Sequence, residues 1–138
     1  MTDADLLLDT AFTRADLARL RLLTRDCAIL AGLCAQRRED FVLAAHELFA
    51  NAIVHGGGGG HVQVFRAAGE LRCLVRDRGP GIGADAVDGC GLRVVRAFAD
   101  RLEICADGGG AVVTITMTAP GTAHGEVQAG RAGPAWTP

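Results

Sequence analysis

Apolar and polar positions in the first half of the chain recur with two periods, which predict one strand and two helices. A short strand is predicted over residues 6–12, which begin with three consecutive leucines. Apolar positions at helical spacing predict a first helix from Thr13 to about Gln36, and Thr13 and Asp16 form the pattern of a capping box at its start. A second helix is predicted from about Arg38 to His55, where a run of glycines ends it.

The second half of the chain predicts a hairpin, a short helix and a final pair of strands. Residues 62–66 and 71–76 alternate, although imperfectly, around a turn at Ala68 and Gly69. A helix over 92–100 and strands over 102–105 and 112–117 follow a glycine-rich loop. We expect a domain over residues 1–119 and a disordered Gly/Pro/Ala-rich tail over 120–138. Because helices and strands come in blocks, the order favours an α+β fold, with a mostly antiparallel sheet and helices on one face.

Composition narrows the function classes. With 138 residues, 49% of them hydrophobic, the chain is long enough for one domain with a real core. The net charge of −2 provides no global basic field, so direct binding to nucleic acid or membrane is not expected. The acidic N-terminus is unlike a signal peptide, and the five cysteines form no CxxC pair. We therefore expect a cytoplasmic protein with reduced thiols.

The second helix carries the first candidate site. Glu47, Asn51 and His55 lie one turn apart on one stripe of a helix that is otherwise nearly all apolar. Burying a carboxylate there is costly unless a partner compensates it. Two interpretations stay open at this point: a solvated polar stripe, or a cleft that holds a ligand, a metal or water.

Two glycine-containing segments carry further candidate chemistry. Asp77 precedes Gly79 and Gly81 in a DxGxG pattern, which is typical of a turn or of a backbone that closely approaches a ligand. Gly89 and Gly91 precede Leu92 at the start of the third helix, which is typical of an ordinary N-cap or of a phosphate site. Each segment is weak alone.

Together and in this order, the three segments resemble the asparagine box and the two glycine boxes of the GHKL ATPase superfamily. The resemblance covers about residues 6–117 and is greatest to the bacterial anti-sigma-factor serine/threonine kinases. It implies a Bergerat fold, which is a two-layer α/β sandwich with a mixed, mostly antiparallel sheet. It also implies binding of ATP or ADP with Mg²⁺.

The resemblance also implies residue roles. Asn51 would coordinate Mg²⁺, Glu47 would be the general base and Asp77 would accept a hydrogen bond from the exocyclic amine of adenine. The remaining cofactor-binding positions would bring backbone close to the nucleotide; they are Gly79, Gly81, Gly89, Gly91 and Leu92. Arg19, placed on the apolar side of the first helix, corresponds more weakly to a partner-binding arginine.

The implied partners are an alternative sigma factor and an anti-anti-sigma (STAS-type) protein, whose serine or threonine would be phosphorylated. A homodimer through the sheet edge near the first strand is also implied. The segment between the glycine boxes departs from the family, because it is short, contains Asp85 and Asp88, and has neither Arg nor Thr. That departure favours a second hypothesis, a nucleotide-binding interaction module without kinase turnover.

Two further alternatives are weaker. The ATP-binding part of a histidine kinase would need a phosphorylatable histidine on a dimerisation helix, and the first predicted helix contains none. A fold that has lost ATP is difficult to reconcile with the presence of Glu47, Asn51 and Asp77 together.

Overall fold

The computed structural model describes residues 5–77, 92–106 and 110–119. Strands and helices follow one another in the blocks that the pattern predicts, with a short 3-10 turn over Arg14–Asp16 before the first helix. In chain order the elements are β1 (Asp5–Thr13), α1 (Leu17–Leu30), α2 (Ala35–His55), β2 (Gly59–Ala67), β3 (Glu70–Asp77), α3 (Leu92–Phe98), β4 (Arg101–Ala106) and β5 (Ala111–Thr118).

The strands form one five-stranded sheet in the order β1-β2-β3-β5-β4. All pairings between the described strands are antiparallel, so the prediction of a mostly antiparallel sheet is confirmed and no parallel pair occurs within this part of the chain. β1 and β4 are the two edges.

The helices cover one face of the sheet. In β3, Leu71, Cys73 and Val75 are buried, whereas the intervening Arg72, Leu74 and Arg76 face the other way. Phe12 of β1 meets Phe49 of α2 in an edge-to-face contact, with ring centroids 5.2 Å apart. These contacts build a two-layer α+β sandwich, as predicted. The apolar face predicted for α2 is buried throughout; it comprises Phe41, Ala45, Leu48, Phe49, Ala52 and Ile53.

The boundary between α1 and α2 differs from the prediction. The first helix ends at Leu30 rather than near Gln36, and the second begins at Ala35 rather than Arg38. Gly32 has a φ of 84°, and its N–H donates to the carbonyl of Ile29 at 3.0 Å. The N–H of Leu33 donates to the carbonyl of Ala28 at 3.1 Å. This is a Schellman motif, so Gly32 ends the first helix instead of weakening its interior.

The cysteines within the described residues are free thiols, and two of them belong to the core. Burial raises the pKa of Cys27 to about 12 and raises the pKa of Cys73 as well. Cys34 and Cys105 are exposed. The expectation of reduced thiols agrees with these four positions, and Cys90 lies outside the described residues.

Candidate functional site

Helix α2 carries the predicted polar stripe on its C-terminal half. Asn51 is buried, with 6% of its surface exposed, while Glu47 is half-buried and His55 is exposed. Burial is therefore greatest at Asn51, in the middle of the stripe, and the stripe reaches the surface at His55. Among the described residues Glu47 makes no ion pair.

The amide of Asn51 is the unusual group of this stripe. Its Nδ2 is buried and has no hydrogen-bond partner within the described part of the chain. Leaving such a donor unpaired costs about 1–3 kcal/mol, so buried amides are normally paired. The residue thus offers a polar group that the described residues do not use. The amide oxygen is the hard ligand that Mg²⁺ takes in proteins, and the amide nitrogen can donate to a phosphate oxygen, so Asn51 fits a Mg²⁺-nucleotide.

Asp77 closes strand β3 and is also buried, with 6% exposure. The backbone N–H of Ala111, the first residue of β5, donates to Oδ1 of Asp77 at 3.1 Å. No described group donates to Oδ2. One oxygen of this carboxylate therefore accepts a hydrogen bond from Ala111, and the other accepts none from the described residues.

The end of α2 and the end of β3 meet at Asp77. Gly56, the residue after α2, lies directly against the Cβ and Cγ of Asp77. Asp77 consequently contacts the chain one residue beyond His55, while Asn51 and Glu47 lie one and two turns back along the same helix. The fold thus brings the predicted helix motif and the predicted acid to one region.

The glycines predicted to bind the nucleotide, Gly79, Gly81, Gly89 and Gly91, lie outside the described residues, as does the short acidic segment between the predicted boxes. Leu92, also predicted at the nucleotide, is fully buried in the hydrophobic core as the first residue of α3. Its side chain anchors the helix, so any contact of Leu92 with a nucleotide would come from the backbone.

The placement predicted for Arg19 is wrong. Its side chain is 54% exposed and pairs with Asp16 at 3.3 Å on the solvent side of α1, next to Leu22, which is 60% exposed. The apolar side of α1 is formed instead by Leu20, Cys27 and neighbours. The role of Arg19 in binding a partner stays a prediction.

Sequence reasoning missed the glycines that surround Asp77. The sequence pattern assigns only a helix end to the glycines that follow His55, but Gly56 is buried, and Gly59 and Gly60 are buried residues of β2. Gly110 likewise lies against Asp77. The position of Gly56 directly after the helix motif was the available signal.

The described residues contain no group of three or more His, Cys, Asp and Glu side chains placed to hold a metal ion. Within the described part of the chain, no helix is both long and apolar enough to span a membrane.

Comparison with known proteins gives three findings. A family model described as histidine kinase-like ATPase domain matches residues 10–117. The signal transduction histidine-protein kinase AfsQ2 of Streptomyces coelicolor is 37% identical over 93 residues, which are 67% of this chain and 17% of that protein. The RsbU and RsbW domains of Rv1364c from Mycobacterium tuberculosis match with a TM-score of 0.63 and 24% identity, over 80% of this chain and 32% of that chain. The chain thus spans only a small part of the curated relative, and the solved structure supports the fold alone.

Proposed function

The chain belongs to the family of histidine kinase-like ATPase domains, and on that premise we propose that it binds ATP and ADP together with Mg²⁺. The observation that carries the proposal is the buried Asn51 amide, whose Nδ2 lacks a partner within the described residues. Asp77 supports it, because its buried carboxylate has one oxygen free of described donors.

In this proposal each group has one task. Asp77 accepts a hydrogen bond from the adenine amine, and Asn51 holds Mg²⁺ through its amide oxygen. Mg²⁺, when bound, neutralises charge on the phosphates, which is the main requirement of phosphoryl transfer. Glu47, half-buried and without a described ion pair, accepts the proton of an attacking hydroxyl.

We further propose that the protein regulates transcription as an anti-sigma factor. It would sequester an alternative sigma factor and phosphorylate a serine or threonine of a STAS-type anti-anti-sigma protein. The solved fold relative contains an RsbW domain, which supports this choice within the family. A homodimer through the exposed edge of β1 belongs to the same proposal, and sedimentation analysis of the purified chain tests it.

A nucleotide-binding module without turnover is the second candidate. The segment between the predicted glycine boxes carries Asp85 and Asp88 and no basic residue. Acidic side chains repel a γ-phosphate, so this observation favours binding without transfer.

Calorimetric titration with ATP and ADP, with and without Mg²⁺, tests the binding proposal. We expect Mg²⁺-dependent binding by the wild type and its loss in Asn51→Ala, because the alanine has no metal ligand. His46→Ala, on the same helix and also half-buried, is the matched control and should bind like the wild type. A wild-type protein that binds no adenine nucleotide would refute the proposal.

Transfer of labelled γ-phosphate to a candidate anti-anti-sigma protein separates the remaining hypotheses. Acid-stable label that disappears in Glu47→Gln supports a serine/threonine kinase. Acid-labile label points to histidine phosphorylation, since the Streptomyces relative is a histidine-protein kinase. Binding without any transfer supports the interaction module.

A further inference from the structure

The carboxylate of Asp77 lies in a cradle of main chain contributed by segments that are far apart in sequence. Gly56 follows α2, Gly110 precedes β5, and Ala111 supplies the N–H that donates to Oδ1 at 3.1 Å. The inference below rests on the proposed nucleotide binding and concerns what this cradle adds to it.

Gly56 is in van der Waals contact with the acid and leaves no room for a side chain. A methyl group on Gly56 would lie 2.6 Å from Cγ of Asp77 and 2.7 Å from the carbonyl oxygen of Ala52. Both distances are shorter than real carbon contacts, so one partner would have to move. The backbone of Gly56 has a φ of −115°, which any residue adopts. Glycine is therefore required at position 56 by the contacts with Asp77 and with the carbonyl of Ala52, and not by a left-handed backbone conformation.

Gly110, in the segment before β5, restricts the position of the same carboxylate. A methyl group on Gly110 would meet the backbone carbonyl oxygen of Asp77 first and would lie 2.9 Å from Oδ1 of the same residue. Since Oδ1 already accepts the Ala111 hydrogen bond, such a methyl group would compete for its position. Two glycines and one N–H together restrict where the two oxygens of Asp77 point.

The ionised carboxylate of Asp77 accepts hydrogen bonds and cannot donate them. Oδ1 accepts the hydrogen bond from Ala111, and no group among the described residues donates to Oδ2, so we assign Oδ2 to the base, where it favours a base that donates a hydrogen bond. Adenine presents an amine at C6, whereas hypoxanthine and guanine present a carbonyl oxygen there, which a carboxylate oxygen repels. We propose that Gly56, Gly110 and the N–H of Ala111 are positioning groups that make this site select a 6-amino purine over a 6-oxo purine.

The test compares ADP with inosine diphosphate, which replaces the amine at C6 by an oxygen. Titrations of the full chain with Mg²⁺ should show at least about tenfold tighter binding of ADP to the wild type, the size expected for a hydrogen bond to a charged group. Gly56→Ala and Gly110→Ala should each weaken ADP and leave inosine diphosphate nearly unchanged, so that the ratio of the two affinities falls towards one. A general loss of packing would weaken both nucleotides alike.

Gly58→Ala is the matched control. A methyl group there meets nothing within 4 Å, although the φ of 94° strains any side chain. We expect this control to lower the melting temperature and to keep the ratio of ADP to inosine diphosphate affinity.

Asp77→Asn tests the orientation of the side chain at position 77 and leaves the glycines unchanged. Its amide oxygen should take the place of Oδ1 as acceptor for Ala111, which turns the NH₂ donor towards the base. The preference should then reverse in favour of inosine diphosphate. This variant and Gly110→Ala decide the question if Gly56→Ala does not fold.

The outcomes distinguish a failure of the proposed nucleotide binding from a failure of the proposed positioning role. If the wild type binds neither nucleotide, the proposed function is refuted and this inference falls with it. If the wild type prefers ADP and folded glycine variants keep the wild-type ratio, nucleotide binding stands and the positioning role is refuted. An Asp77→Asn variant that still prefers ADP refutes the assigned orientation in the same way.

Discussion

At the level of single residues, the buried amide of Asn51 lowers the stability of the free protein and provides a group that a ligand can bind. Its Nδ2 lies inside the protein without a partner among the described residues, and a bound ligand that accepts a hydrogen bond there would offset the cost. Residues at binding sites often carry such a cost, because the group that satisfies them arrives with the ligand.

Asn51→Leu therefore tests this conflict, since leucine keeps the branched shape and removes the polar atoms. We expect the free protein to be equally stable or up to about 1 kcal/mol more stable, because an unsatisfied donor is replaced by apolar atoms. The same variant should lose Mg²⁺-dependent nucleotide binding. Denaturant unfolding and calorimetric titration measure the two quantities. A variant that loses more than about 1 kcal/mol of stability would show that the amide has a structural partner.

At the level of elements, the β2–β3 hairpin contains a turn residue in a costly conformation. Ala68 has a φ of 51° and Gly69 a φ of 77°, so both central positions of the turn are left-handed. A turn of this kind matches the twist of the two strands, but it favours Gly or Asn at both places. The carbonyl of Gly69 also accepts a hydrogen bond of 2.7 Å from the N–H of Ala119, which fixes the turn to the end of the sheet.

Ala68→Gly should raise the free energy of unfolding by about 1 kcal/mol, because glycine adopts the left-handed region without the steric cost of a Cβ. Ala67→Gly is the control one residue earlier, inside β2, where glycine should lower stability by about 0.5–1 kcal/mol. Denaturant unfolding of both variants gives the comparison. Equal losses of stability in the two variants would contradict the assigned turn.

At the level of the whole molecule, a polar network centred on Arg37 connects the two layers. Arg37, near the start of α2, donates to Asp40 at 3.1 Å, to the carbonyl of Phe98 at 3.1 Å and to Asp100 at 2.8 Å. Asp100 in turn accepts the N–H of Thr118 at 2.7 Å. The start of α2, the end of α3 and the end of β5 are thus joined, and α3 is held at the end opposite to the predicted nucleotide site.

The hydrogen bond from Thr118 and the charge of Arg37 hold the pKa of Asp100 below its ordinary value of 3.8. A carboxyl group whose pKa is lowered by folding adds stability above its unfolded pKa, and this contribution is lost as the pH falls through the folded pKa. Asp100→Ala should therefore cost about 1 kcal/mol at pH 7, a modest value because Asp100 is partly exposed. The difference from the wild type should shrink as the pH falls below about 4.

Denaturant unfolding at pH 7, 5 and 3 measures this trend. Asp26→Ala, on the exposed face of α1, is the control and should be close to wild type at pH 7. A cost of Asp100→Ala that stays constant down to pH 3 would contradict the ionic contribution.

Local pattern was sufficient for most elements, because helix and strand periods are written in consecutive residues. The end of α2 at His55 was predicted correctly, and so was the position of the hairpin turn at Ala68 and Gly69. The helix end at Gly32 was not predicted, because apolar residues at helical spacing continue past it. Only the backbone hydrogen bonds show that this glycine ends α1. The placement of Arg19 was predicted wrongly for a related reason. Periodicity defines the faces of a helix, but the neighbouring elements decide which face is covered.

The residue types at the candidate site follow from the chain, since Glu47, Asn51 and Asp77 stand out as polar groups next to apolar runs. Their environments depend on the tertiary structure. Only the packed fold brings Gly56, Gly110 and Ala111, from separate parts of the chain, against one carboxylate, and only burial leaves the Asn51 amide without a partner in the described residues. Contacts between distant segments are set by how the layers pack, and a local pattern carries no information on them.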